Sequence, residues 1–131
     1  MDRPPPLPAD LVQRFVAGAH ADLEAVTELL AAEPRVLNAA WDWGGGDWET
    51  GLGAAAHMGR RDIAELLLAA GARLDVFAAA MLGQLEVVQA ILNANPAQRD
   101  AAGPHGIPLL AHAEAGAATA VADWLRQSVA A

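Results

Sequence analysis

Four stretches of the chain place apolar residues at i, i+3 and i+4: Val26, Leu29 and Leu30; Ile63, Leu66 and Leu67; Val88, Ile91 and Leu92; Val121, Trp124 and Leu125. That spacing is the buried stripe of an amphipathic helix. The stretches ADLEAVTELLAAEP from Ala21, GRRDIAELLLAAGA from Gly59, GQLEVVQAILNANP from Gly83 and GAATAVADWLRQSV from Gly116 align as an internal repeat, each opening on a small residue. Starts and stops agree: Asp22 is placed to cap the first, Gly71 takes the left-handed position after the second, and Pro34 and Pro96 follow the first and third. A shorter helix precedes each, in DLVQRFVAGAH, TGLGAAAHM, DVFAAAML and PLLAHAEA, with Thr50 and Asp75 as N-caps and Pro108 at the first helical position. Helices of about two turns are marginal alone, so these must gain their stability by stacking on neighbours. The pattern predicts an all-α chain of four helix–turn–helix units, approximately residues 10–38, 39–74, 75–96 and 97–131, behind a disordered proline-rich leader over 1–9.

The stretch TGLGAAAHMGRRDIAELLLAAGARLD, from Thr50 to Asp75, resembles the ankyrin repeat, with its Thr-Pro-Leu-His helix start, paired alanines, internal Gly and Leu-Leu-x-x-Gly-Ala ending. Ile107-Pro108-Leu109-Leu110 stands in the Thr-Pro-Leu-His position of the fourth unit, and the likeness to a small bacterial ankyrin-repeat protein runs over roughly residues 10 to 128. The resemblance implies an ankyrin-like solenoid with irregular β-finger loops. Spacing departs from it, because the small residues opening the long helices fall at 21, 59, 83 and 116, giving intervals of 38, 24 and 33. Fingers are therefore expected between units one and two and between units three and four, and none between Gly71 and Asp75. Gly51 and Gly53 replace the family's proline and histidine at the second helix start.

Composition narrows the partners. Alanine supplies 33 of the 131 residues, which favours short helices in close approach. Eight arginines, no lysine and 16 acids give a net charge of −8, the wrong sign for a phosphate-binding surface, so nucleic acid is excluded as a partner. The absence of cysteine removes disulfides and thiolate ligands and suits a reducing compartment. The amino terminus shows no apolar signal region and no run is long enough to span a bilayer, so a cytoplasmic monomer without a membrane partner is expected. Ser128 is the single serine, and no base accompanies it or the three threonines; no catalytic residue and no cofactor is predicted.

The densest chemistry lies in WDWGGGDWE, from Trp41 to Glu49, the enlarged finger between units one and two. Gly44-Gly45-Gly46 supplies a turn; without a lysine, and beside Asp42, Asp47 and Glu49, it is no phosphate cradle. Trp41 and Trp48 flank the turn as a candidate cross-strand pair worth about 0.5–1.5 kcal/mol, and Trp43 is the candidate contact residue at the loop tip. In ankyrin-like proteins the fingers and the inner faces of the short helices form a concave binding surface, and the resemblance places His20, His57, Met58, Met81 and Leu82 on it. The expected function is a non-catalytic protein-interaction module, binding a partner that carries a basic patch through Trp41, Asp42, Trp43, Asp47, Trp48, Glu49 and that face. The alternative is a small ligand of carbohydrate type, stacked on the indoles with the three acids as hydroxyl acceptors. His20 and His57 approach each other across units, but two imidazoles without a third ligand of evident spacing do not make a metal site, and none is predicted. His112, beside Leu109 and Leu110, reads as a packing residue.

Overall fold

The computed structural model describes residues 2–129, with side chains through 127. The structure of Met1 and the side chain of Ser128 therefore lie outside the described residues. Eight α-helices and one two-stranded sheet make up the regular structure among these residues: α1 Ala9–Gly18, α2 Leu23–Ala32, β1 Ala40–Asp42, β2 Trp48–Thr50, α3 Gly51–His57, α4 Arg61–Ala69, α5 Val76–Met81, α6 Leu85–Ala94, α7 Leu109–Ala115 and α8 Thr119–Val129. None of these helices is long and apolar enough to cross a membrane.

The expected caps are in place. Asp22 accepts from the Ala25 amide at 3.0 Å, Thr50 from Gly53 at 3.0 Å and Asp75 from Ala78 at 2.8 Å. Gly71 follows the end of α4 with φ +103°, a conformation in which a Cβ would be strained. Pro108 stands one position earlier than its expected place, as the N-cap of α7.

The short helices α1, α3, α5 and α7 lie in a row, each against the next, and each is backed by the long helix that follows it. The stripe residues Val26, Ile63, Leu67, Val88, Leu92, Val121 and Leu125 are buried, and Leu29, Leu30, Leu66, Ile91 and Trp124 are half-buried beside them. Two apolar clusters result. Phe15, Val16, Leu52, Ile63 and Leu67 anchor the first, and Val88, Leu109, Val121 and Leu125 anchor the second. Helix α5 belongs to both, sending Ala78 and Met81 into the first and Val76, Ala79 and Ala80 into the second. Alanine along the row lets the helices approach closely, as does the lack of a side chain at Gly59, where a Cβ would collide with the carbonyl of Ala115. Leu7, ahead of α1, rests against the first cluster.

Three connections join the helix pairs, and one of them corrects the sequence expectation. The first is the expected finger, an antiparallel hairpin with register Ala40↔Thr50, Trp41↔Glu49 and Asp42↔Trp48. Between Gly71 and Asp75 there is no strand, as expected. The third, between α6 and α7, contains no strand either; it runs through 3-10 turns at Pro96–Asp100 and Pro104–Gly106. Pro96, Pro104 and Pro108 each lack the N–H a strand ladder requires, and Pro96 and Pro104 open the two 3-10 turns, where no N–H is needed.

Candidate metal centre

Alternation along the finger sorts its side chains. In an antiparallel pair, residues directly opposite share a face and successive residues switch faces. The register therefore puts Trp41 and Glu49 on one side and Asp42 and Trp48 on the other. The backbone bond from Trp43 N–H to the Asp47 carbonyl, 3.0 Å, extends the same order by one pair. Trp41 packs on the first apolar cluster, while Trp48 turns outward and is 61 % exposed. Trp41 and Trp48 are thus not a cross-strand pair.

The acids of the finger are not solvated acceptors. Asp42 accepts from the Gly44 amide at 2.8 Å and the Gly46 amide at 3.0 Å, pinning a turn whose three glycines all have positive φ. Asp47 accepts two bonds from His105 at 2.7 Å each, from the backbone N–H and from ring Nδ1. Those bonds, the backbone one first, hold its carboxyl below the usual aspartate range. Glu49 is 1 % exposed, although it sits in a connector. Met81, expected on an accessible face, is fully buried in the core, whereas Met58 is 48 % exposed and Leu82 is half-buried.

Glu49 is buried because three imidazoles surround it. His20 Nε2 lies 3.1 Å from Oε1, while His57 Nε2 and His105 Nε2 lie 2.9 and 3.3 Å from Oε2. The rings crowd one another, with centroids 5.0 Å apart for His20 and His57 and 5.2 Å for His57 and His105. One ligand atom from each of His20, Glu49, His57 and His105 falls within 4.8 Å of all the others. Four ligands at zinc's usual bond lengths of about 2.0–2.1 Å sit roughly 3.3 Å apart around a tetrahedron. The separations of His57 and His105 from Oε2 and of His20 from Oε1 match that value or fall a little short of it, while the four ligand atoms spread over up to 4.8 Å.

Hydrogen bonds behind the rings fix which nitrogen faces inward. His20 Nδ1 is 3.0 Å from the Val16 carbonyl, which can only accept, so Nδ1 donates there and Nε2 is turned to the centre. His105 is set the same way by the Asp47 carboxylate. Trp43 Nε1–H donates to Glu49 Oε1 at 2.8 Å and orients the carboxylate. Ligand imidazoles in metal sites are held by such carbonyl and carboxylate partners.

Protonation of His20 or His105 would let Nε2 donate to Glu49, but His57 is left without such a bond. Burial, only partly offset by the nearby Glu49 carboxylate, pushes the His57 imidazole below its ordinary pKa. Despite their 2.9 Å separation, Glu49 Oε2 and His57 Nε2 close no aligned hydrogen bond, and both are buried without a hydrogen-bond partner. A divalent ion would satisfy both atoms and neutralise the carboxylate.

Sequence pattern alone brings together only His20 and His57. The third and fourth ligands come from the finger and from the connector before α7, so no fixed sequence spacing joins them. His105 was the residue missed, and its one local signal is its setting in Gly103-Pro104-His105-Gly106, a tight turn that projects a polar side chain. His112 lies elsewhere, fully buried in the second half, with Nδ1 2.9 Å from the Pro108 carbonyl and its ring against Phe77; its Nε2 is buried without a hydrogen-bond partner, and among the described residues no other histidine or carboxylate joins it in a ligand cluster. No protein-family model matches the sequence, and no curated protein matches it.

Proposed function

We propose that this chain is a non-catalytic, ankyrin-like module that binds one divalent transition-metal ion of the zinc class through His20, Glu49, His57 and His105. The observation that carries the proposal is the convergence of four ligand atoms within 4.8 Å, two of them buried and otherwise unpartnered. Three imidazoles and a carboxylate suit zinc and its neighbours in the first transition row; calcium and magnesium prefer all-oxygen sites. Four protein ligands fill a tetrahedron and leave no open position, the arrangement of a structural site. The row of short helices, with a long helix behind each, supports the ankyrin-like assignment.

Equilibrium dialysis against zinc, with calcium and magnesium in parallel, tests the proposal. One zinc per chain is expected, with negligible uptake of the hard cations. Glu49→Gln should weaken zinc binding by at least about 100-fold, while His112→Gln, which removes a buried histidine outside the cluster, should leave it intact. Zinc uptake unchanged in Glu49→Gln would reject the site.

A second role, partner binding, is favoured by the outward face of the finger, where Trp48 is 61 % exposed. A large exposed indole is a typical interface anchor, and the acidic chain suits a basic partner. Captured partners should be lost from Trp48→Ala and should dissociate as salt rises. Retention of every partner by Trp48→Ala would remove this role. Carbohydrate binding has less support, because Asp42, Asp47 and Glu49 are all engaged within the protein.

A further inference from the structure

The four candidate ligands differ in how firmly the fold holds them. His20 follows α1, Glu49 lies in β2 and His57 ends α3, all packed around the first apolar cluster. Their side chains are 22 %, 0 % and 9 % exposed. His105 instead rides the tip of a short loop in the other half of the molecule, and its side chain is 33 % exposed. The loop is closed by three backbone bonds, Gly103 N–H to the Ile107 carbonyl at 2.9 Å, Gly106 N–H to the Gly103 carbonyl at 3.0 Å and Ile107 N–H to the Pro104 carbonyl at 3.2 Å.

His105 also occupies a backbone conformation that a side chain adopts at a cost, φ +60° and ψ +19°. Strain of this kind persists where surrounding contacts over-determine it. The contacts at His105 all lead to the cluster: both oxygens of Asp47 bind it, and Nε2 faces Glu49. Trp43 stands at the same edge, with its ring centroid 6.1 Å from His105 and 6.2 Å from His20.

We infer that the 103–107 loop is a metal-operated latch: His105 is the last ligand to engage the ion, and its engagement locks the join that Asp47 makes between the finger and the connector before α7. This rests on the metal site proposed above. His20, Glu49 and His57 form a receiving set carried by the first half of the molecule. An ion arriving at the edge between His20, Trp43 and His105 meets that set first, and the loop then closes over it. Asp47 is a positioning residue in this scheme, since it holds the His105 ring with Nε2 inward and touches no ion itself. The role of the ion follows: it locks together two connectors from opposite halves, where the apolar clusters are already complete without it. Metal occupancy therefore sets the order of the loop and leaves the helical body unchanged.

Hydrogen exchange on the full chain, with chelator or with one equivalent of zinc, reads this directly. Zinc should slow exchange of the His105, Gly106 and Ile107 amides by about tenfold or more, while α3 and α4 change by less than about twofold. His105→Gly, which fits the left-handed backbone and removes the imidazole, should weaken zinc binding about 10–100-fold and abolish the zinc-dependent protection of the loop. Asp47→Asn, which keeps all four ligands, should retain one zinc per chain with lower affinity and partial protection. One zinc bound with loop exchange identical to the chelated protein would overturn the latch and leave the metal site standing. Absence of zinc binding in the native chain would overturn the metal site itself, and the latch with it.

Discussion

Residues 33–50 and residues 95–108 each carry the chain from a long helix to the start of a short one, and only the first does so as a β-hairpin. The hairpin displays its side chains by alternation. Trp43, Asp47 and Glu49 turn toward the histidines and Trp48 turns to solvent, an outcome set by the register. The second connector has no period to exploit. Its one functional side chain, His105, is aimed by a tight turn, a left-handed backbone and two hydrogen bonds to Asp47. The difference teaches that a ligand in a strand can be read from local pattern once the pairing is known, whereas a ligand in an irregular loop is oriented by contacts distant in sequence.

Both connectors rest on one helical body, and the largest expected effect is in that body. Leu67 is fully buried in the first cluster, so Leu67→Ala should lower stability by about 2–5 kcal/mol in urea unfolding. Loss below about 0.5 kcal/mol would mean that the connectors, and not the stripe, hold the fold. Next in size is the finger's inward face. Trp43→Phe keeps an aromatic ring but removes the N–H given to Glu49, and zinc affinity by competition titration should fall about 10–100-fold.

Glycine substitutions sharpen the contrast further. In the second connector Gly103 has an ordinary φ of −78°, but a Cβ there would meet His112 at 3.0 Å and Phe77 and the Ile107 carbonyl at 3.1 Å. Gly103→Ala should cost about 1–3 kcal/mol by overpacking. In the finger Gly45 has open space around it and φ +65°, so Gly45→Ala should cost about 1 kcal/mol through backbone strain alone. Gly45→Asn, which tolerates the left-handed region, should recover part of that loss; equal costs for Ala and Asn would point to crowding in place of strain.

His112, against which the second connector packs, supplies a pH dependence. Burial pushes its imidazole below the ordinary value of 6.5, against smaller opposing effects of the Pro108 carbonyl and Asp75. Its contribution is therefore complete above pH 6.5 and is lost as pH falls below that value, because the unfolded chain takes up a proton that the folded chain refuses. The urea midpoint should drop faster on acidification in the native chain than in His112→Gln, with the other histidines cancelling in the difference. Parallel curves would show that the pocket accepts the charge. The smallest effect is expected on the finger's outer face, where Trp48→Ala should change stability by less than about 0.5 kcal/mol and leave zinc binding untouched.

The stripes at Val26, Ile63, Val88 and Val121, the caps at Asp22, Thr50 and Asp75 and the left-handed Gly71 were legible in the sequence, because a helix writes its period and its ends into adjacent residues. The finger was legible for a similar reason, since glycines between β-forming residues make a turn. By itself, then, the sequence determined the eight helices and the finger, all of which depend on contacts within a few positions. Tertiary structure alone decided that Glu49 is buried, that Met81 is core and that the acids of the finger are engaged. It alone brought His105 to His20 and His57, residues 85 and 48 positions earlier in the chain. The physical reason is that a ligand set is defined by where side chains converge in space. Stacking of the short helices moves residues from separate units to within a few ångströms, and no spacing along the chain records that distance.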